Sequence, residues 1–230
     1  MEMLSVSVIA PTKARCAYSL KALKKILVYG TLLMFSAAVM SAVAAERQAP
    51  DIRGHWAENY IRTLLIRGVI SGMPSGNFYP DEQISFSQFI TIIVRANYGS
   101  VDPANDDWAS GYMRKASELG IIGEHEITRT GPINRFDAAE IVNNVLTIIN
   151  EEYVEEIYDI NVSESFQDLR TSDYYRERFE ADAAQLYVKG IAIGRPGPVF
   201  DGDAYLTRAE ACVIVMKMIE PQRRSSPETS

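Results

Sequence analysis

The sequence predicts an all-α protein built from three consecutive helix-loop-helix units, and two repeated patterns support this. A helical segment that stops at a glycine and continues into a short apolar run occurs three times, at Gly68, Gly120 and Gly190. After a loop, each glycine is followed by a second apolar segment that opens with a polar capping residue. One hairpin of about 50 residues cannot bury its own apolar face, so the three units are expected to pack together.

The first 45 residues have the order of a secretory signal peptide. Basic residues between Lys13 and Lys25 precede an apolar run from Ile26 to Met40, and the small residues of 41-SAVAA-45 follow it. The alternative is an uncleaved membrane anchor, although a run of about 15 residues is shorter than the roughly 20 that a spanning helix needs. We therefore expect residues 1–45 to be a signal peptide, cleaved after position 44 or 45.

The charge balance argues against nucleic acid as a partner. Residues 1–45 hold 5 of the 23 basic and 1 of the 30 acidic residues, which leaves 18 basic and 29 acidic residues, a net charge of −11, in the rest of the chain. Such a chain is not expected to bind nucleic acid or an acidic surface through its overall field. An anionic ligand would have to be held by a few local arginines.

Few residues suit catalysis or metal binding. The apolar setting of Cys212 predicts a buried structural thiol. His55 and His125 have no Cys or His neighbour at ligand spacing, so we interpret them as solvated. The sequence offers no recognisable Ser/His/Asp set and no Cys/His pair, and its acidic residues fall in caps, linkers or exposed helix faces. We expect no enzyme, no metal and no cofactor.

The first helices of units one and two match residue by residue. The segments 56-WAENYIRTLLIRGVISG-72 and 108-WASGYMRKASELGIIG-123 are offset by 52 residues, which aligns Trp56 with Trp108. In unit three the matching helix ends in 185-QLYVKGIAIG-194, and Arg178 stands where the tryptophan would be. Because a tryptophan beside a core helix more often packs than stacks on a ligand, we interpret both mainly as packing residues, each with an edge available to a groove.

The second helix of each unit carries its own start signal. The segments are 84-ISFSQFITIIVRA-96, 133-INRFDAAEIVNNVLTII-149 and 206-LTRAEACVIVMKMI-219. The capping pairs are Ser85 with Gln88, Asn134 with Asp137, and Thr207 with Glu210. The first and third pairs form complete capping boxes, and the second is a shorter relative. Since these helices are apolar almost all round, we expect them to be central and buried.

Turn-rich and acidic linkers set the boundaries of the units. Unit one spans 51–98, unit two 105–150 and unit three 166–220. The acidic segment 151–165 separates the last two units, and residues 221–230 have a composition typical of a disordered tail.

Taken together, the motifs resemble the S-layer homology domain. The resemblance is carried by 51-DIRGHWA-57, the loop 72-GMPSGNFYP-80 and 206-LTRAE-210, and three copies cover residues 51 to about 220. It implies three repeats packed with pseudo-threefold symmetry, with the capped second helices central. It also implies noncovalent attachment to the cell surface. The ligand would be a secondary cell-wall polysaccharide linked to peptidoglycan, often capped by a pyruvylated amino sugar, that binds in grooves between neighbouring repeats.

Within that family, the arginine of the Thr-Arg-Ala-Glu motif helps to hold the anionic sugar. The glycan-binding candidates are therefore Arg208, its equivalent Arg135, Trp56 and Trp108. An arginine beside the free N–H groups of a helix N-terminus is a good setting for a carboxylate. The alternative is a structural ion pair, with Asp201 or Asp203 as the partner of Arg208.

Two departures from the pattern bear on how many grooves work. Unit one has Phe86 where the arginine would stand, which predicts that its own groove has lost anionic recognition. Unit two has a shortened loop containing 124-EHE-126, and its 127-ITRT-130 copies the motif but runs into Gly131-Pro132, so we interpret Arg129 as a decoy. We expect one or two working grooves in a secreted protein of the cell wall or S-layer. The alternative function is a surface scaffold for a protein partner, with degenerate glycan grooves.

Overall fold

The computed structural model describes residues 49–102, 107–152, 174–192, 194–195 and 199–225. The leader 1–45, residues 153–165 of the acidic segment and the last five residues lie outside these ranges. The described part of the chain is all-α, with helices and isolated bridges but no strand. Within it, we find no helix with the length and apolar character needed to cross a membrane.

Six α-helices make up the described fold. They are α1 (Glu58–Ile66), α2 (Phe86–Tyr98), α3 (Ser110–Glu118), α4 (Arg135–Asn144), α5 (Tyr174–Val188) and α6 (Arg208–Ile219). A π-helical turn, Val145–Ile149, continues α4, and single 3-10 turns cover Pro50–Ile52, Glu124–Glu126 and Pro221–Arg223. Thus α1, α3 and α5 are the first helices of the three units, and α2, α4 and α6 are the second.

Each first helix ends in the same hydrogen-bonded turn. After α1, the N–H of Gly68 donates to the carbonyl of Leu65 and the N–H of Val69 to that of Leu64, both at 3.0 Å, which is the Schellman arrangement. Gly68 has a φ of 68°, the left-handed conformation that this arrangement requires. The same two bonds, at the same spacing, end α3 at Gly120 and α5 at Gly190.

The second helices begin at side-chain caps. At α6, the hydroxyl of Thr207 accepts from the N–H of Glu210 at 3.1 Å, and the Glu210 carboxylate accepts from the N–H of Thr207 at 2.9 Å. Ser85 and Gln88 make the same reciprocal pair at α2, with distances of 3.2 and 3.1 Å. At α4, Asn134 accepts from the N–H of its partner residue 137 at 2.8 Å.

The units exchange helices, since each first helix packs on the second helix of another unit. The first helix of one unit lies on the second helix of another: α3 on α2, α5 on α4, and α1 on α6. The last of these contacts joins the beginning of the chain to its end. Nine of the twelve residues of α6 are buried, against three of nine in α1, so the second helix is the more central of this pair.

Backbone hydrogen bonds join the segments in front of the second helices in a closed cycle. Ile84 donates its N–H to Leu206 at 3.0 Å, Leu206 donates to Ile133 at 2.9 Å, and Ile133 donates back to Ile84 at 3.2 Å. All three side chains are fully buried. The leading apolar residues of the three second helices therefore meet at one point of the core.

Residues 221–225 differ from the predicted disordered tail. After its 3-10 turn, the segment runs along unit three, where the N–H of Ser225 donates to the carbonyl of Gly190 at 3.0 Å. The guanidinium of Arg224 binds both carboxylate oxygens of Glu152, at 2.8 and 2.7 Å. The composition of the segment is polar, but an ion pair to the acidic segment and a backbone bond to unit three hold its first five residues in place.

Candidate functional site

Among the described residues, three grooves follow the second helices, and we number them by the unit whose second helix forms the wall. Groove 1 runs along α2, has a volume of about 380 Å³, and is also lined by the loop 69–73 and by Trp108 at the start of unit two. Groove 3 runs along α6, has a volume of about 450 Å³, and is also lined by Trp56 of unit one. Groove 2 runs along α4 and has a volume of about 280 Å³.

Arg208 reaches from unit three into groove 1. It is the first residue of α6 and only 7% exposed, and its Nε donates to the carbonyl of Phe78 at 2.8 Å. Its guanidinium lies 4.4 Å from the centre of the Phe78 ring. That carbonyl is the only described acceptor of the Arg208 side chain. Most of its donors are therefore left for a ligand in groove 1.

Burial makes an anion at Arg208 favourable. Loss of water lowers the pKa of its guanidinium, and the carboxylates of Glu82 and Asp51 compensate only in part. A cation that is buried without a full counter-charge gains from an incoming carboxylate. The proposed pairing of Arg208 with Asp201 or Asp203 is not found, and Asp201 instead pairs with Arg195.

Arg135 occupies the equivalent place in groove 3 but is already paired. It is the first residue of α4, and its Nε donates to the carbonyl of Phe200 at 2.7 Å. Its Nη1 lies 3.4 Å from the carboxylate of Glu210, which also binds Arg195 at 3.1 Å. The two arginines of groove 3 therefore already share a carboxylate.

The interpretation of the two tryptophans as packing residues is wrong. Trp56 is 63% exposed and Trp108 is 54% exposed. Each stands on the turn just before a first helix, where it borders a groove instead of entering the core. The structure thus brings Trp108 together with Arg208 in groove 1, and Trp56 together with Arg135 in groove 3.

His55 is not the solvated residue that the sequence predicted. Its Nδ1 accepts from the N–H of Ala57 at 3.1 Å, and its Nε2 lies 3.1 Å from a carboxylate oxygen of Asp81. The imidazole therefore holds the turn that leads into α1. His125, by contrast, is exposed at the edge of groove 2.

Arg129 starts no helix, as the sequence predicted, and it has a structural role. Its guanidinium lies 4.4 Å from the centre of the Phe86 ring and pairs with the carboxylate of Asp137. At this contact between units one and two, Phe86 occupies the motif position and the loop of unit two supplies Arg129. The contact of Arg208 with Phe78 has the opposite arrangement, because the arginine occupies the motif position and the ring comes from a loop. The loss of arginine at position 86 therefore does not affect groove 1, because the arginine of that groove comes from unit three.

The grooves differ most in charge. None of the described residues that line groove 1 is acidic, and Arg95 joins Arg208 there. Groove 2 is lined by Glu126, Asp137 and Glu140. Sequence reasoning missed Arg95, although residues 88, 91 and 95 have the spacing of one helix face.

The described residues suit noncovalent binding. No cluster of metal-ligating side chains occurs in the part of the chain that the structure covers. Cys212 is fully buried, which raises the pKa of its thiol to about 12, so it stays protonated and unreactive near neutral pH. Open grooves with arginine and tryptophan at their walls can hold an anionic, ring-shaped ligand.

Comparison with known proteins identifies similar sequences. The family model of the S-layer homology domain matches residues 50–90. The chain is 26% identical over 210 residues to an S-layer protein of Bacillus licheniformis, covering 87% of this chain and 23% of that protein. It is 28% identical over 180 residues to an exoglucanase of Acetivibrio thermocellus, covering 74% of this chain and 16% of that protein.

A cellulosome-anchoring protein of Acetivibrio thermocellus is 41% identical over 49 residues, 21% of this chain and 11% of that protein. The chain spans less than a quarter of the length of these relatives. The matches to an S-layer protein and to an anchoring protein support a location at the cell surface. The chain is therefore similar to S-layer homology domain proteins, and the match to the family model lies in unit one.

Proposed function

We propose that this protein attaches to the cell envelope by binding an anionic cell-wall polysaccharide, with groove 1 as the principal site. The observation that carries the proposal is Arg208, a residue only 7% exposed whose one described hydrogen bond leaves its Nη groups to the groove. A buried arginine without a paired carboxylate is costly unless a ligand supplies the counter-charge. The exposed ring of Trp108 lies in the same groove.

The chemistry of groove 1 fits a sugar that carries a carboxylate. The forked guanidinium of Arg208 can bind both oxygens of a carboxylate, and the indole of Trp108 offers an apolar face to a sugar ring. A pyruvylated amino sugar has both features. The proposed ligand is therefore a secondary cell-wall polysaccharide linked to peptidoglycan and bearing such a cap.

Pseudo-threefold packing of the units is part of this proposal. The closed cycle of bonds between Ile84, Leu206 and Ile133 and the exchange of helices between units support it. Under this arrangement groove 3, with Arg135 and Trp56, is a second and weaker site. Groove 2 is acidic and not expected to bind an anion. Export through the leader 1–45 would deliver the chain to the cell wall or S-layer.

The test is retention of residues 46–230 on cell-wall sacculi before and after removal of the secondary polymer. We expect polymer-dependent retention that falls strongly in Arg208→Ala and Trp108→Ala and more weakly in Arg135→Ala. The matched control is Arg129→Ala, which removes an arginine from a phenylalanine ring in the same way but lies outside groove 1. Equal retention on intact and stripped sacculi would contradict the proposal.

A protein-interaction scaffold is the second candidate, and the acidic lining of groove 2 is the observation that favours it. In that case a basic surface protein would bind along α4. Retention of the chain on stripped sacculi that still carry surface protein, and its loss after protease treatment of the sacculi, would favour the scaffold.

A further inference from the structure

The three grooves are built from equivalent positions but carry different charges. The position three residues after each cap holds Gln88 in groove 1, Asp137 in groove 2 and Glu210 in groove 3. In α2 and α6 this residue closes the capping box with its side-chain oxygen, so an amide and a carboxylate serve the helix equally well. Only the charge that faces the groove differs.

Where this position is acidic, its carboxylate binds the nearby arginines. Glu210 lies 3.4 Å from Arg135 and 3.1 Å from Arg195, and Asp137 pairs with Arg129. In groove 1 the neutral amide of Gln88 takes the same place. Its oxygen accepts the N–H of Ser85 at 3.1 Å, and it brings no counter-charge to Arg208.

A second position, seven residues further along each helix, shows the same difference. In groove 3 the amine of Lys217 is bound to the hydroxyl of Ser225 at 2.9 Å, and in groove 2 the amide of Asn144 donates to the carbonyl of Ile121 at 3.1 Å. In groove 1 the position holds Arg95, whose Nε is buried and has no hydrogen-bond partner among the described residues. Groove 1 therefore contains two arginines with donors to spare.

We propose that Gln88 is the specificity determinant of groove 1: its neutral side chain caps α2 while it leaves Arg208 and Arg95 to a carboxylate-bearing ligand. The inference rests on the proposed function and adds to it that one groove per chain discriminates an anionic sugar from its neutral counterpart. A carboxylate at position 88 would neutralise the arginines and repel the ligand.

The experiment changes the charge of the cap without removing the cap. Gln88→Glu is compared with the unchanged exported protein by calorimetric titration with a synthetic pyruvylated amino sugar and with the same sugar lacking the pyruvyl group. Glu already closes the capping box at position 210, so α2 is expected to remain intact, and thermal unfolding checks this. We expect affinity for the pyruvylated sugar to fall about tenfold or more, with little change for the neutral sugar.

Two further variants test the same idea from other sides. Arg95→Gln should weaken binding of the pyruvylated sugar, whereas Arg129→Gln, which lies outside groove 1, should leave that binding unchanged. If Gln88→Glu binds the pyruvylated sugar as tightly as the unchanged protein does, the inference is wrong and the proposed function stands. If the unchanged protein binds neither sugar at millimolar concentration, both fail.

Discussion

Arg208, Arg135 and Arg129 each place a guanidinium 4.4 to 4.9 Å from the centre of a phenylalanine ring that belongs to another unit. Contacts of this kind contribute about 0.5–2 kcal/mol each, more when water is excluded. They also account for a cation in the first turn of α4 and of α6, a position that the helix dipole disfavours. The side chain leaves its own helix and donates to a carbonyl of the neighbouring unit. This contact offsets the unfavourable interaction of the cation with the helix dipole.

Two glycines with nearly equal backbone angles should respond differently to the same substitution. Gly68 has a φ of 68° with no atom within 4 Å of an added Cβ, whereas at Gly190, with a φ of 66°, the added Cβ would lie 1.8 Å from the carbonyl oxygen of Ser225. We expect Gly68→Ala to lower the free energy of unfolding by about 1–2 kcal/mol and Gly190→Ala to lower it further. Urea unfolding measures both.

The difference should disappear in chains that end at residue 220, because the clash is with the segment after α6. Equal losses for the two substitutions in the full chain would show that residues 221–225 do not lie against the end of α5.

At the scale of elements, the segment after α6 connects parts of the fold that are far apart in sequence. Glu152, in the acidic segment that follows unit two, is bound by Arg224 and lies 3.6 Å from Lys189 at the end of α5. On the other side, Glu220 pairs with Arg67 at the end of α1. A short polar segment thus joins the ends of several helices through charge.

This connection predicts a pH dependence. The hydrogen bond from Arg224 is the main reason that the pKa of Glu152 lies below its ordinary value of 4.5. A carboxyl whose pKa is lower in the folded state stabilises the fold at pH above its unfolded pKa, and the stabilisation is lost as pH falls through the folded pKa. Glu152→Gln should therefore be less stable than the unchanged protein at pH 7, and the difference should shrink below pH 4.5.

Urea unfolding between pH 7 and pH 3 checks this expectation. Glu118→Gln is the control, since the Glu118 side chain is 57% exposed and its carboxylate lies as far as 3.8 Å from the amine of Lys115. A difference for Glu152→Gln that stays constant across this range would rule out the ion pair as its source.

At the scale of the whole molecule, the exchange of helices makes the units depend on one another. α1 lies on α6 and α5 lies on α4, so unit three covers apolar faces of both other units. We expect a chain that ends at residue 150 to lose cooperative unfolding, because it exposes the buried faces of α1 and α4. Circular dichroism with urea titration measures this, and the chain ending at residue 220 is the control. A cooperative transition in the shorter chain would contradict the packing.

Local patterns in the sequence predicted much of the fold. The glycine that ends each first helix and the caps of the second helices follow from backbone chemistry within a few residues, and the structure has them at the expected positions. The all-α class follows from the same patterns. The first residues after α6 were mispredicted, since a polar composition does not show that Arg224 finds Glu152 across 72 residues.

The candidate site is different, because grooves 1 and 3 each combine residues from three units. The sequence by itself determined which residue types were available, namely two motif arginines, two tryptophans and three capped helices. Only the tertiary structure decided that the arginine of groove 1 comes from unit three, that Trp108 borders that groove, and that Gln88 leaves it without a carboxylate. The physical reason is that these side chains meet only because helices of different units pack on one another. Sequence spacing carries no information about a contact such as that of Arg208 with Phe78, which are 130 residues apart.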